Sequence, residues 1–264
     1  MPLTGPDIVL YDVKDGIATI TINREERMNA LSPETFDRMD EVWRQVESDP
    51  EVAVAVLTGA GTKSFSAGGD LKAFADGGVK NVHAARKQRA ARYPSASYSW
   101  EISKPVIAAI NGYALAGGFL LAQRCDLRIA ADTATFGITE AKVGRAAPWA
   151  IPLVWAIPSA IALEWLLTGD RFTAQRAAEV GFVNKVVPAS ELMSATRDMA
   201  ASIRDNAPLT VRAHKKLYYT AWDTGMTVGS MLADDMCKAI YESEDCQEGQ
   251  RAFKEKRPPQ WKGR

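Results

Sequence analysis

The sequence predicts an α/β fold, and three observations carry that prediction. Two continuous β-branched apolar runs, Val52 to Thr58 and Val106 to Ile110, have the signature of strands buried on both faces. An amphipathic helix pattern stands between the first of them and an N-terminal hairpin, so strands and helices alternate along the chain. Two Gly-Gly pairs, Gly68-Gly69 and Gly117-Gly118, follow strand signals and open helical ones.

Each element has its own justification. Ile8 to Val13 and Ile17 to Asn23 alternate in polarity, and Lys14-Asp15-Gly16 between them supplies an Asp-Gly turn, which makes a hairpin. Ser32 reads as an N-cap with Pro33 at the first helical position. Phe36, Met39, Trp43 and Val46 follow at helical spacing, and Asp49-Pro50 stops the helix. Gly59-Ala60-Gly61 lacks the third glycine and the lysine of a nucleotide loop and reads as a turn. Val106 to Ile110 ends at the Asn111-Gly112 turn signal and leads through Gly117-Gly118 into an apolar helix. Thr173 caps a helix that Gly181 ends, and Val183 to Val187 is a last strand. Beyond it Leu192 to Ile203, Leu209 to Trp222 and Met226 to Ile240 carry apolar residues at helical spacing.

Composition excludes several function classes. Of the 264 residues 47% are hydrophobic and 24% charged, an ordinary globular balance. Lys plus Arg equal Asp plus Glu at 32 each, so no global field recruits nucleic acid or an anionic membrane. The N-terminal Met1 to Asp7 lacks a basic segment followed by an apolar run, which predicts no signal peptide. The longest apolar stretch, Ile151 to Leu163, is interrupted by Pro152 and Pro158 and falls short of the roughly 20 residues a bilayer needs. The three cysteines, Cys125, Cys237 and Cys246, lack metal-type spacing, predict no metal site, and fit a reducing cytoplasm. His83, in the basic stretch Asp76 to Tyr93, and His214, beside Lys215 and Lys216, read as surface residues.

The glycine pairs carry the chemical signal. Two glycines at the mouth of a helix let another molecule approach the backbone and leave free N–H groups where the helix dipole is positive. If Gly69 and Gly117 each offered one N–H to the same oxygen, they would form an oxyanion hole. A close helix–strand contact that needs small residues explains Gly117-Gly118 equally well, and Gly68-Gly69 taken alone is more often a turn than a site.

Phe65-Ser-Ala-Gly-Gly-Asp-Leu-Lys72, Lys104 to Ala122, Phe136-Gly-Ile-Thr-Glu-Ala-Lys-Val-Gly144 and Leu167-Thr-Gly-Asp-Arg-Phe-Thr-Ala174 together resemble, in order and spacing, the crotonase (enoyl-CoA hydratase/isomerase) family. The likeness runs from the Ile8 hairpin to Trp261. It implies a spiral core of repeated ββα units over residues 1–190 and a C-terminal helical region, 191–264, that shapes the acyl pocket and trimer contacts. It also implies a homotrimer or hexamer, and a CoA thioester substrate whose carbonyl oxygen sits between the N–H groups of Gly69 and Gly117. No cofactor beyond the coenzyme A of the substrate belongs to that pattern. By the same resemblance the Ala67 carbonyl helps hold the adenine, and Arg27, Lys72, Lys256 and Arg257 are partners for the CoA phosphates.

Two departures shape the functional expectation. Hydratases of this family carry two glutamates that bracket a water. The second is kept as Glu140, but the first falls on Leu120, which neither holds water nor moves a proton. Glu140 alone with an oxyanion hole suits proton shuttling, as in the family's enoyl-CoA isomerases, better than hydration. A hydratase that positions its water otherwise is the alternative, and an acyl-CoA binder without catalysis is another. In the second departure, Pro148 and Trp149 replace smaller residues in the loop after Glu140 and make it bulkier, so Trp149 joins Leu120 as a residue that shapes the acyl pocket.

Overall fold

The computed structural model describes residues 5–70 and 102–264. Ten strands form two sheets among these residues. The larger is six-stranded, in the order β1 (Val9–Lys14), β2 (Ile17–Ile22), β3 (Val54–Gly59), β5 (Val106–Ile110), β7 (Leu127–Ala131) and β10 (Lys185–Val187). The smaller is four-stranded, in the order β4 (Ser64–Ser66), β6 (Tyr113–Leu115), β8 (Thr135–Gly137) and β9 (Arg171–Thr173). Only β1/β2 and β8/β9 pair antiparallel; the other pairs are parallel.

The connectivity makes a spiral. Each of β3, β5 and β7 lies in the large sheet and hands over, within a few residues, to β4, β6 and β8 in the small one. The handover points are stapled by buried amides. Asn111, at the end of β5, donates to the carbonyls of Gly59 (2.8 Å) and Gly61 (2.7 Å) at the end of β3. Asn29 donates to the carbonyls of Ala60 (3.0 Å) and Ser64 (2.6 Å), which fixes the turn between β3 and β4. Leaving those carbonyls unpaired in the interior would cost on the order of 1–3 kcal/mol each.

The predicted hairpin is present, with Asp15 (φ 52°) and Gly16 (φ 74°) both left-handed, as a two-residue turn of matching twist requires. Helix α1 (Pro33–Ser48) begins with a capping box between Ser32 and Thr35. It buries Phe36, Met39, Val42, Trp43 and Val46. Lys104, fully buried, donates to the carbonyls of Val46 and Asp49 at its C-terminal end. Helix α2 (Gly117–Arg124) follows β6 directly. After β8 the chain runs through α3 (Leu153–Ala156), α4 (Ser159–Thr168), α5 (Ala174–Glu179) and α6 (Leu192–Arg204). It ends in α7 (Pro208–Tyr241) and α8 (Glu244–Glu255).

Helix α6 buries Leu192, Thr196 and Ala200, spaced four apart, against β3, β5 and β7 of the large sheet. Helix α7 is interrupted at Gly225 (φ 76°, ψ 172°), which separates the two helical stretches that the apolar spacing predicts. Lys215 is not the surface residue that its neighbours suggest. Its side chain is buried, pairs with Asp126 at 2.8 Å and donates to the Lys104 carbonyl at 2.9 Å. Tyr219 donates to the other Asp126 oxygen at 2.9 Å, so Asp126 ties α7 to the strand end at Val106.

Candidate active site

The two Gly-Gly segments meet. A side chain is impossible at Gly68, whose φ is +91° and whose Cβ would lie 2.8 Å from the Gly117 nitrogen. A Cβ on Gly117 would lie 3.4 Å from the Gly69 nitrogen. Gly69 forms a parallel bridge to Leu31 in which the flanking groups bond: Leu31 N–H donates to the Gly68 carbonyl at 2.7 Å, and Asp70 N–H donates to the Leu31 carbonyl at 3.0 Å. That pattern turns the N–H of Gly69 itself away from Leu31. Gly117 is the first residue of α2, where the backbone N–H has no intrahelical partner. Among the described residues neither N–H donates to a carbonyl outside regular structure. The fold therefore brings Gly69 and Gly117 side by side.

Backbone tension fixes the entry to α2 at Gly117. Ala116 has φ 50° and ψ −118°, a region that residues with a Cβ rarely adopt. Its N–H donates to the Gly137 carbonyl on β8 at 2.9 Å, and its carbonyl accepts from Leu120 N–H at 3.0 Å. Both peptide groups are thus committed, and the chain must turn sharply between them. The second glycine of the pair serves packing, since a Cβ on Gly118 would lie 2.0 Å from the Ser66 carbonyl oxygen.

Glu140 follows β8 in a single 3-10 turn, Thr139–Val143, and is 9% exposed. Burial pushes its carboxyl above the usual range. Its own N–H, a hydrogen bond from the Trp149 side chain and the Arg145 charge pull in the opposite direction. Its Oε2 is buried without a partner. A carboxylate oxygen left unpaired in the interior is costly, which argues for use rather than for structure.

The aromatic cluster behind α2 sets the distance between these parts. Phe119 stacks on Phe182 with ring centroids 4.8 Å apart and meets Phe136 of β8 edge-on at 6.3 Å. Trp149 tilts against Phe119 at 6.1 Å. Leu120, half-buried, lies one turn beyond Gly117 on the same side of α2. No carboxylate stands at that place on the helix.

Of the expected phosphate and adenine contacts, Ala67 lies beside Gly68 and its N–H donates to the Met28 carbonyl at 3.0 Å. Arg27 is exposed on the adjoining turn, next to Met28. Lys72 and the stretch from Asp76 to Tyr93 lie outside the described residues. Lys256 and Arg257 end α8, and among the described residues no hydrogen bond or ion pair links them to the glycine segments. Arg257 instead holds Glu248 (2.6 Å) and Glu255 (2.6 Å).

Two site residues escape a reading of the sequence. Arg24, buried, pairs with Asp70 at 3.0 Å and donates to the Ala30 carbonyl, which brackets the Leu31–Gly69 bridge from both sides. In sequence it is one charge among several in a loop. Gln123, buried on α2, donates to the Trp149 carbonyl at 3.0 Å. Its only signal is a polar residue inside an apolar helix.

Known proteins resemble this chain in sequence and fold. A family model described as enoyl-CoA hydratase/isomerase matches residues 12–264. The (E)-benzylidenesuccinyl-CoA hydratase of Thauera aromatica is 39% identical over 259 residues, covering 97% of this chain and 99% of that protein. The carnitinyl-CoA dehydratase of Proteus mirabilis is 39% identical over 244 residues, covering 90% and 92%. Among solved structures, an enoyl-CoA hydratase from Bacillus anthracis superposes with a TM-score of 0.90 at 33% identity, covering 97% of this chain and 100% of that one. One from Mycobacterium tuberculosis superposes at 0.89 with 35% identity, covering 98% and 100%.

Proposed function

Because the chain belongs to the enoyl-CoA hydratase/isomerase family, we propose that it moves a proton at the carbon next to the carbonyl of a CoA thioester, with Glu140 as the single acid–base group. The observation that carries this reading is the buried, unpartnered Oε2 of Glu140 on the same scaffold as the closely approaching Gly69 and Gly117. Removing the C2 proton places negative charge on the thioester oxygen, and two fixed N–H dipoles stabilise it. Glu140, now protonated, returns that proton. If it goes to a hydroxyl leaving from C3, the products are water and a 2-enoyl thioester; run backwards, the same steps add water.

The names of the hydratase and dehydratase relatives support addition and elimination of water as the reaction. The position of Leu120 favours a second reading, in which the proton returns at C4 and a double bond migrates. Neither reaction calls for a cofactor beyond the coenzyme A that the substrate carries. Incubation with 2-enoyl-CoA and 3-enoyl-CoA esters, with products identified by mass and chromatography, separates the two. A gain of one water from the 2-enoyl ester supports hydration, conversion of the 3-enoyl to the 2-enoyl ester supports migration, and no turnover of either sinks the proposal.

A further inference from the structure

The successive N–H groups from Ala67 to Asp70 are not equivalent. Ala67 donates to the Met28 carbonyl at 3.0 Å, Gly68 to the Ser66 hydroxyl at 3.2 Å and Asp70 to the Leu31 carbonyl at 3.0 Å. Among the described residues only the Gly69 N–H of this run has no acceptor. Its direction is nevertheless set. The Gly68 carbonyl, which belongs to the same peptide plane, accepts from Leu31 N–H at 2.7 Å. Among the described residues no peptide bond is cis, so the Gly69 N–H points opposite to that carbonyl and away from Leu31. Whatever holds Gly68 against Leu31 therefore aims the Gly69 N–H.

Arg24 spans that contact. One guanidinium nitrogen donates to Asp70 Oδ2 at 3.0 Å and another donates to the Ala30 carbonyl. Ala30 precedes Leu31 and Asp70 follows Gly69, so a single planar group ties the two segments together just beside their bridge. The arginine is itself seated by its own backbone. Its N–H donates to Asn29 Oδ1 at 3.0 Å, its carbonyl accepts from Asn29 N–H at 2.9 Å, and Met28 and Asn29, both at φ 54°, close the turn. A buried ion pair is weak ground for stability alone, since well-packed apolar residues often serve as well. What they do not supply is a rigid fork that reaches a carboxylate and a carbonyl on two segments at once. We propose that Arg24 is a positioning residue that fixes the direction of the Gly69 N–H by clamping Ala30 to Asp70. This rests on the reading of Gly69 as a donor to the thioester oxygen.

The test compares the full-length wild type with Arg24→Met, Arg24→Lys and Asp70→Asn, each held below its melting transition. Two quantities are read: kcat and KM with crotonyl-CoA and but-3-enoyl-CoA, and the infrared carbonyl band of bound butyryl-CoA labelled with carbon-13 at the thioester carbon. That ester has no double bond to hydrate or move, and hydrogen bonds to its oxygen lower the band's frequency. In the wild type the band is expected below that of the free ester. In Arg24→Met it is expected to return toward the free position, with kcat lower by about tenfold or more and KM changed by less than about threefold. Arg24→Lys keeps the charge but not the fork, and a smaller effect on both quantities is expected. A purely structural arginine would lower the melting temperature without moving the band. A folded Arg24→Met with the wild-type band and kcat overturns the proposal, and if that variant does not fold, the same result in Asp70→Asn overturns it. The two levels separate in the wild type. A bound ester whose band stays at the free position rejects the donor role of Gly69 itself, whereas a lowered band that is equally low in every variant rejects only the role of Arg24.

Discussion

A Cβ on Gly117 would sit 3.4 Å from the nitrogen of Gly69 and 3.3 Å from the Cα of Gly68, a tight fit but not a clash. The next residue has no such room, since a Cβ on Gly118 would lie 2.0 Å from the Ser66 carbonyl oxygen. One glycine of the pair thus leaves space for a ligand and the other for the protein's own backbone. Gly117→Val is expected to fold and to lose turnover by about 10²–10³ or more, because its methyls fill the space between the two donors. Gly118→Ala is expected to lower the melting temperature sharply. Steady-state rates and thermal melts on both variants check the contrast, and an unimpaired Gly117→Val enzyme removes the oxyanion-hole assignment.

The Arg24–Asp70 pair stands directly behind Gly69, with both side chains about nine-tenths buried. Breaking a buried ion pair by removing one member typically costs about 3–5 kcal/mol. Arg24→Met should therefore unfold at markedly lower denaturant, with the loss visible in chemical denaturation. A variant as stable as wild type would show that the Gly69 segment is held by the Leu31 bridge alone.

Glu140 has a folded-state pKa raised by burial above its unfolded value. The folded protein then binds more protons than the unfolded one in the window between the two pKa values, so this group's contribution to stability declines as pH rises through that window. Activity has the opposite slope, because the base must be ionised. Glu140→Gln is expected to lower kcat by about 10² or more, to leave CoA-ester binding nearly intact, and to raise stability at neutral pH. Rates, binding titrations and melts at neutral pH test all three, and a Gln variant of undiminished rate rules out the single-base mechanism.

Much of this was legible in the sequence where one residue type suffices for one job. Asp15-Gly16 makes the hairpin turn, Ser32-Pro33 starts α1, and Gly225 breaks α7 where the apolar spacing pauses. The small sheet was not legible because its strands are three residues long, too short to show a period. Helices α3 and α4 were hidden by Pro152 and Pro158, which interrupt the apolar run as caps rather than as breakers. Helix α8 carries a readable start, Ser243 capping a first turn with Glu244 and Asp245, but few apolar residues follow it. In the site, backbone donors could be placed from glycines, whereas Arg24, Gln123 and Lys215 owe their roles to partners distant in sequence.

The C-terminal helices leave large apolar side chains in the open: Met226 is 85% exposed, Met231 74%, Tyr241 72% and Phe253 89%. An apolar surface of that kind on a single chain marks an interaction site. Self-association into a trimer or a hexamer is the expected outcome in light scattering at micromolar concentration. Charged replacements at Met226 and Met231 should then weaken it. A monomeric wild type would contradict the assembly.

In the proposed reaction Leu120 would be an apolar wall and Glu140 the single charge, and that division can be altered. Leu120 lies one turn into α2 beyond Gly117, so Leu120→Glu places a carboxylate on the same side of the helix as Gly117. Two carboxylates there would hold a water over the C2–C3 double bond and activate it, where the wild type has one group to serve both tasks. Hydration of a 2-enoyl-CoA ester should then rise relative to migration of a 3-enoyl-CoA double bond. The introduced group enters a half-buried position, so burial is expected to raise its own pKa. The gain should accordingly grow with pH, as the new carboxylate ionises, and a ratio of the two activities that is flat across pH and equal to wild type would show that position 120 does not reach the reacting carbons.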